Sequence, residues 1–275
     1  MEKLVMIGND YRRTENVDIV TQHFGPSDNI KTFYHYTTMK ALVEGIIVED
    51  PIPNKEICMW ATHCAYMNDS MEVQIGIDAI VDFFYNQQKK IYQGLLKDIY
   101  RKSFEKGISN QWRYRFIISF SKETDSLPMW KMYSDSGRGI AIEFFRDGFP
   151  LTDKDKLLQC YYAKTNLLRM LDSTGIDKNV AYAYIPSVMK NKAYKYEKEI
   201  RLIGIFENEE ELYRVKNGIT IPYKKVYFPK TQIKSITIGP SIDKKIAETS
   251  LKRLLCKRGF DHVIIKHSKI PYRNL

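Results

Sequence analysis

The chain has 275 residues, of which 44% are hydrophobic, 13% aromatic and 28% charged, enough apolar side chain to bury a sizeable core and too much for a disordered chain. No apolar run reaches the length of a membrane span, and the start, Met1-Glu2-Lys3-Leu4-Val5, lacks the apolar stretch of a signal peptide, so a cytoplasmic protein with no membrane partner is expected. The net charge of +10 is unevenly placed: residues 221–275 hold thirteen Lys or Arg against three acids, whereas residues 1–220 hold thirty of each.

In chain order, residues 11–23 have the pattern of a short helix and 31–36 that of a strand. Thr38 then caps a helix running to about Glu44, with Gly45 as its stop. Residues 57–62 read as a strand. From Glu72 to about Phe104 apolar residues recur at helical spacing, which predicts one long helix or a pair broken near Asn86 and ended by Gly107. Strands are expected at 115–120 and 139–144, with a short helix at 130–133 between them, then a strand at 157–162. A helix at 177–192 leads into a charged strand at 197–205. The end reads as strand 233–238, the turn Gly239-Pro240, helix 242–257, Gly259 and strand 262–266. No repeat or composition break marks a second domain. The sum is an α+β single domain over residues 31–275, with residues 1–30 as an N-terminal extension.

Four groups of residues have the composition of a site. In Phe33-Tyr34-His35-Tyr36-Thr37-Thr38, His35 and Thr37 share a strand face and can hydrogen-bond one ligand; a half-buried histidine bonded to backbone is the structural alternative. Asn68-Asp69 before Glu72 reads as a helix cap with an acidic first turn. Cys58, His63 and Cys64 match no zinc spacing, so no metal is expected, and the four cysteines, with Cys160 and Cys256, read as reduced thiols. Trp130 and Tyr133 share one side of a short helix, as an aromatic wall or as packing on the sheet.

The fourth group is Lys195-Tyr-Glu197-Lys-Glu199-Ile-Arg201-Leu202. Strand alternation puts Glu197, Glu199 and Arg201 on one face, an arrangement that fits a positioned carboxylate or a solvated charged face. The basic last fifth, led by Lys224, Lys225, Lys230 and Lys234, suggests a nucleic-acid partner or an acidic inhibitor protein, with surface hydration as the plain alternative.

In order, the His35 strand, Asn68-Asp69-x-x-Glu72, Ser119-Phe120-Ser121, Trp130-x-x-Tyr133, Gly139-Ile-Ala-Ile-Glu143-Phe144 and Glu197-x-Glu199-x-Arg201-Leu202 resemble a bacterial family known only as a domain of unknown function, over about residues 32–272. The opening Tyr34-His35-Tyr36-Thr37, a following helix and Gly45-Ile46-Ile47 more distantly resemble the ADP-ribosyltransferase fold, in the toxin branch that modifies nucleic acids and in the RNA 2′-phosphotransferases. That resemblance implies a split antiparallel sheet with flanking helices and NAD as substrate without a metal. It implies that His35 and Thr37 hold the ribose and that Glu199 is catalytic, with Glu197 orienting the nucleophile. Tyr66 is the match for the tyrosine that stacks on nicotinamide, with Tyr36 and Tyr133 as alternatives. Arg201 keeps Glu199 ionised or grips a pyrophosphate oxygen. The expected activity is transfer of ADP-ribose from NAD to a macromolecule, RNA or DNA before protein, by a toxin or anti-phage effector held by an inhibitor protein. The alternative is a nucleic-acid-binding module or nuclease that does not use NAD.

Overall fold

The computed structural model describes residues 20–49, 51–67, 74–80, 114–149, 151–152, 154–163 and 183–272, with single positions at 102, 106, 167, 169, 171 and 173. Among these, ten strands form one sheet: β1 (Thr32–Thr37), β2 (Ile57–His63), β3 (Phe116–Ser121), β4 (Ile140–Phe145), β5 (Lys156–Gln159), β6 (Glu199–Gly204), β7 (Glu211–Lys216), β8 (Ile219–Phe228), β9 (Ile233–Ile238) and β10 (Ile264–His267). Their order is β10-β9-β4-β1-β3-β2-β8-β7, with β6 paired to both β3 and β5. Every pairing is antiparallel except β9–β10. Isoleucine and aromatic residues dominate these strands, side chains that suit a pleated, half-buried surface.

Strand β3 sets the architecture. One of its edges pairs with β6 from Phe116↔Gly204 to Ser121↔Glu199. Its other edge is shared: β2 pairs at Phe116 and Ile117, and β1 pairs only at Ser121. Ile118, Ser119 and Phe120 therefore have no strand partner on that edge, and the sheet divides there.

Helices fill the connections. α1 (Met39–Ala41) begins where Thr38 Oγ1 accepts the Ala41 N–H at 3.0 Å, and it continues as a π-type turn, Leu42–Ile46. Gly45 lies inside that turn and does not end the helix. α2 (Leu127–Tyr133) lays Met129 and Trp130 on Tyr34, Tyr36 and Ala141. α3 (Lys244–Lys257) is capped by Asp243 and buries Ala247, Leu251 and Leu255 as the crossover between the parallel strands β9 and β10. Alternation along the strands gives two larger cores. Phe33, Ile118, Phe120, Ile200 and Leu202 pack with α3, and Ile117, Leu158, Ile203, Ile185 and Val188 pack on the opposite face.

Two expectations are corrected here. The charged strand begins at Glu199, because Lys198 takes left-handed backbone (φ 42°) and Glu197 ends a 3₁₀ helix, Lys192–Glu197. The helix expected to run to 192 gives way to a 3₁₀ helix, Ile185–Val188, with Pro186 in its first turn, then to extended chain at Met189. The hairpin β7–β8 is an addition. Its turn is Asn217-Gly218, both at positive φ (52° and 76°), a dipeptide suited to a two-residue hairpin loop. The cap Asn68-Asp69-x-x-Glu72 and the helix expected from 81 to 101 lie outside the described residues, while 74–80 are helical.

Glu143 ties β4 to the terminal unit. Its buried carboxylate accepts from Ser235 Oγ at 2.5 Å, Lys234 Nζ at 3.0 Å and Lys266 Nζ at 2.8 Å, so one side chain links β4, β9 and β10. Burial raises its pKa, but those three hydrogen bonds outweigh burial and hold the carboxyl down to about 2, from an ordinary 4.5. A depressed carboxyl stabilises the fold above its unfolded pKa and loses that contribution as pH falls through the folded one. Glu143→Gln is therefore expected to be less stable than wild type at neutral pH, with the gap closing between pH 4.5 and 2. Urea midpoints measured across that window check this; a gap that stays constant would overturn it.

Candidate functional site

The division of the sheet opens into a cavity of about 550 Å³. Because it lies at a gap between strands, both sheet faces contribute to its walls. His35, Thr37, Ile118 and Phe120 come from one face, and Tyr34, Tyr36, Ser119, Ser121 and Glu199 come from the other. Glu197 at the end of the 3₁₀ helix, Tyr133 of α2, Lys40, Lys190, Trp60, Thr62 and Arg214 also line it. The volume is in the range of small-molecule sites.

His35 is set by the unpaired edge of β3. Its Nδ1 lies 3.0 Å from Ser119 O, and a carbonyl only accepts, so Nδ1 carries the proton. Burial lowers the pKa of His35 against the opposing pull of that carbonyl. The neutral ring is therefore favoured, with an Nε2 lone pair free to accept a hydroxyl. Thr37, two residues on, lines the cavity from the same strand face.

Opposite stands a buried charge cluster. Glu199 is 4% exposed; Arg201 Nε donates to its Oε1 at 3.0 Å and Arg201 Nη2 to its Oε2 at 2.9 Å. Lys190 Nζ adds a bond to Oε2 at 2.7 Å and also pairs with Glu197 Oε2. Tyr133 donates its hydroxyl to Glu197 Oε1, and Cys160 Sγ lies 3.7 Å from Glu199 Oε2. The left-handed Lys198 turns the chain, so two carboxylates from different elements meet on one ammonium. Ser121 secures that turn by donating to Glu197 O at 2.6 Å, and Tyr162 accepts the Glu199 N–H at 2.8 Å.

The two acids differ electrostatically. Burial opposes ionisation of Glu199, but the charges and hydrogen bonds of Arg201 and Lys190 overcome it and hold the carboxyl well below the usual range. For Glu197, burial and the neighbouring Glu199 charge prevail over Lys190 and Tyr133, and its carboxyl is pushed up. Burial and the bond to Glu197 also raise Tyr133, which keeps its proton and donates. Glu199 is thus held as an anion, while Glu197 is driven toward its neutral form.

The remaining expected site residues separate. Arg201 is fully buried behind Glu199, and its third donor, Nη1, goes to Ser187 O at 2.6 Å. The Tyr36 hydroxyl donates to Glu123 O at 3.0 Å and accepts the Ser126 N–H at 3.2 Å. Its ring meets Trp130 edge-on at 4.9 Å, so this tyrosine anchors α2. Tyr66 is 42% exposed, packs on His63 and lies outside the cavity lining, whereas Tyr133 lines it beside Glu197. Lys224 donates to Ile205 O and Phe206 O, and Lys234 to Glu143. Lys224 and Lys225 on β8 are separated from Lys234 on β9 by four strands in the sheet order, and Lys230 sits in the 3₁₀ turn Lys230–Gln232, so the four lysines do not form one element's surface. Lys190 and Arg214 are lining residues that sequence patterning did not mark.

Among the described residues no group of three or more His, Cys, Asp or Glu is placed to hold a metal ion, and no helix is long and apolar enough to cross a membrane. A family described as a protein of unknown function, DUF2971, matches residues 129–202, a span that carries Trp130, Tyr133, Lys190, Glu197, Glu199 and Arg201. No curated protein and no solved structure matches the chain.

Lys190 is the shared partner of two buried acids, and removing one partner of such a group leaves an uncompensated charge. Lys190→Met is expected to cost about 3–5 kcal/mol. Adding Glu197→Gln should restore part of that loss, because the second change removes an acid that Lys190 served. Urea denaturation of the two single variants and the double variant measures the coupling; strictly additive losses would refute it.

Proposed function

We propose that the chain is an NAD-dependent ADP-ribosyltransferase acting on a macromolecule. The observation that carries this reading is that one cavity is walled by His35 and Thr37 on one side and by Tyr133, Glu197 and Glu199 on the other. A sheet divided along β3 supports the split antiparallel architecture that goes with such an activity.

The residues suit the chemistry. Cleavage of the bond between ribose C1′ and the pyridinium nitrogen sends both bonding electrons to that nitrogen, and neutral nicotinamide leaves. Positive charge then develops on the ribose, and a carboxylate held ionised stabilises it; Glu199 is held ionised by Arg201 and Lys190. His35 Nε2 and the Thr37 hydroxyl orient the ribose through its hydroxyls. Tyr133 stands as the aromatic beside the nicotinamide, in place of Tyr66. The acceptor's nucleophilic atom bonds to C1′ and its proton passes to Glu197, whose raised pKa makes it the better base.

A nucleic-acid acceptor is placed before a protein one because α3 exposes Lys245, Lys252, Arg253 and Lys257. Such an activity suits a toxin or anti-phage effector restrained by an inhibitor protein.

Nicotinamide release from NAD by the purified chain tests this, alone and with RNA, DNA or cell extract added. Glu199→Gln is expected to reduce release by about 10²–10³-fold. Glu197→Gln should remove the acid limb of the rate–pH profile, and thermal melts establish that both variants remain folded. Absence of release from folded wild type under every condition would sink the enzyme reading.

A further inference from the structure

Three cations line the cavity: Lys40, Lys190 and Arg214. Lys40 lies 3.8 Å from Glu44, and Lys190 pairs with Glu197 and Glu199. Arg214 forms no ion pair among the described residues. Its guanidinium is nevertheless partly buried, its Nε is buried without a hydrogen-bond partner, and burial pulls its pKa down. A guanidinium carries five N–H donors, and Arg214 directs Nη2 to Thr62 Oγ1 at 2.8 Å.

The fold builds this position deliberately. Register across the wing aligns Thr62 with Tyr223 and Tyr223 with Leu212, so Arg214, two residues beyond Leu212, shares their face. Trp60 and Tyr223 stack at 4.5 Å with ring planes 28° apart. The guanidinium lies 5.4 Å from the Trp60 ring and 5.6 Å from the Tyr223 ring. The aromatic pair supports the cation without neutralising it. Trp60 is 39% exposed and lines the cavity, as a surface for a planar base would.

We propose that Arg214 and Trp60 form an anion subsite for the nucleoside-diphosphate half of the substrate. Arg214 takes phosphate oxygens and the base lies against the Trp60 indole, because a planar fork of donors matches phosphate geometry. The subsite stands on the β2–β8–β7 wing, and the carboxylates stand on the β3–β6 side of the same cavity. It supplies the phosphate grip that the buried Arg201 does not. The identity of the ligand rests on the NAD reading, and the subsite's own test does not.

Calorimetric titration of the full chain with ADP, adenosine and inorganic pyrophosphate tests it. ADP is expected to bind more tightly than adenosine or pyrophosphate. Arg214→Gln should weaken ADP about 10- to 100-fold while leaving adenosine unchanged, and Arg214→Lys should lose less. Trp60→Ala should weaken adenosine and spare pyrophosphate. Unchanged ADP affinity in a folded Arg214→Gln chain, or no ADP binding to wild type, would overturn the subsite; pyrophosphate binding as tightly as ADP would overturn the role of Trp60. ADP binding that depends on Arg214 in a chain that never releases nicotinamide leaves the subsite standing and removes the transferase. Nicotinamide release with the same KM for NAD in Arg214→Gln does the reverse.

Discussion

Strand β3 cannot satisfy one continuous neighbour on its second edge, because β1 reaches it only at Ser121 and β2 only at Phe116 and Ile117. The three residues between them keep backbone groups that a ladder would otherwise consume. One of these, the Ser119 carbonyl, is taken by His35 Nδ1, which fixes the tautomer of the ring. The same gap lets side chains from opposite sheet faces wall one cavity, which an unbroken sheet forbids. Cavity and histidine tautomer both descend from that shared edge.

The second constraint is charge. Two carboxylates, an ammonium and a guanidinium are withdrawn from water beneath this gap, and each satisfies another: Lys190 bridges the acids, and Arg201 grips Glu199 through two donors. Isolated, any of them would carry a burial cost of several kcal/mol. Together they give a rigid site in which one acid is held ionised and the other is driven toward its neutral form. The two acids respond to pH with opposite sign. Glu199 stabilises the fold above its unfolded pKa and loses that contribution on acidification, whereas Glu197 favours the folded state when protonated and withdraws that support as pH rises through its folded value.

Periodicity made most of the sheet legible. The run 233–238 matches β9 to the residue, and β1 to β4 fall within one residue of their expected positions, because short runs rich in Ile and aromatic residues between turn signals admit few other structures. The Asn217-Gly218 hairpin carried a clear turn signal, but β7 exposes most of its side chains and so lacks the apolar alternation of a half-buried strand. Glu197 shows a different limit. Alternation placed it beside Glu199, and it does lie beside Glu199, but through a left-handed residue that no period foretells. Lys190 and Arg214 were illegible for a plainer reason. Their roles are defined by what lies across the cavity, and a lone Lys or Arg in sequence looks like any other surface cation.

The excess of basic residues after 220 also changes meaning once it is placed. Lys224 binds two carbonyls, Lys234 and Lys266 clasp Glu143, Lys244 holds Ser268 O and Arg258 pairs with Glu49. These cations fasten the β8 wing and the β9–α3–β10 unit to the rest of the sheet, so much of what sequence counts as free positive charge is structural. Exposed cations cluster on one helix, α3, at Lys245, Lys252, Arg253 and Lys257, with Glu248 among them. A phosphate backbone is attracted by local density of cations rather than by a net total. This cluster lies on α3, on the β9–β10 side of the sheet, while Arg214 stands on the β7 side.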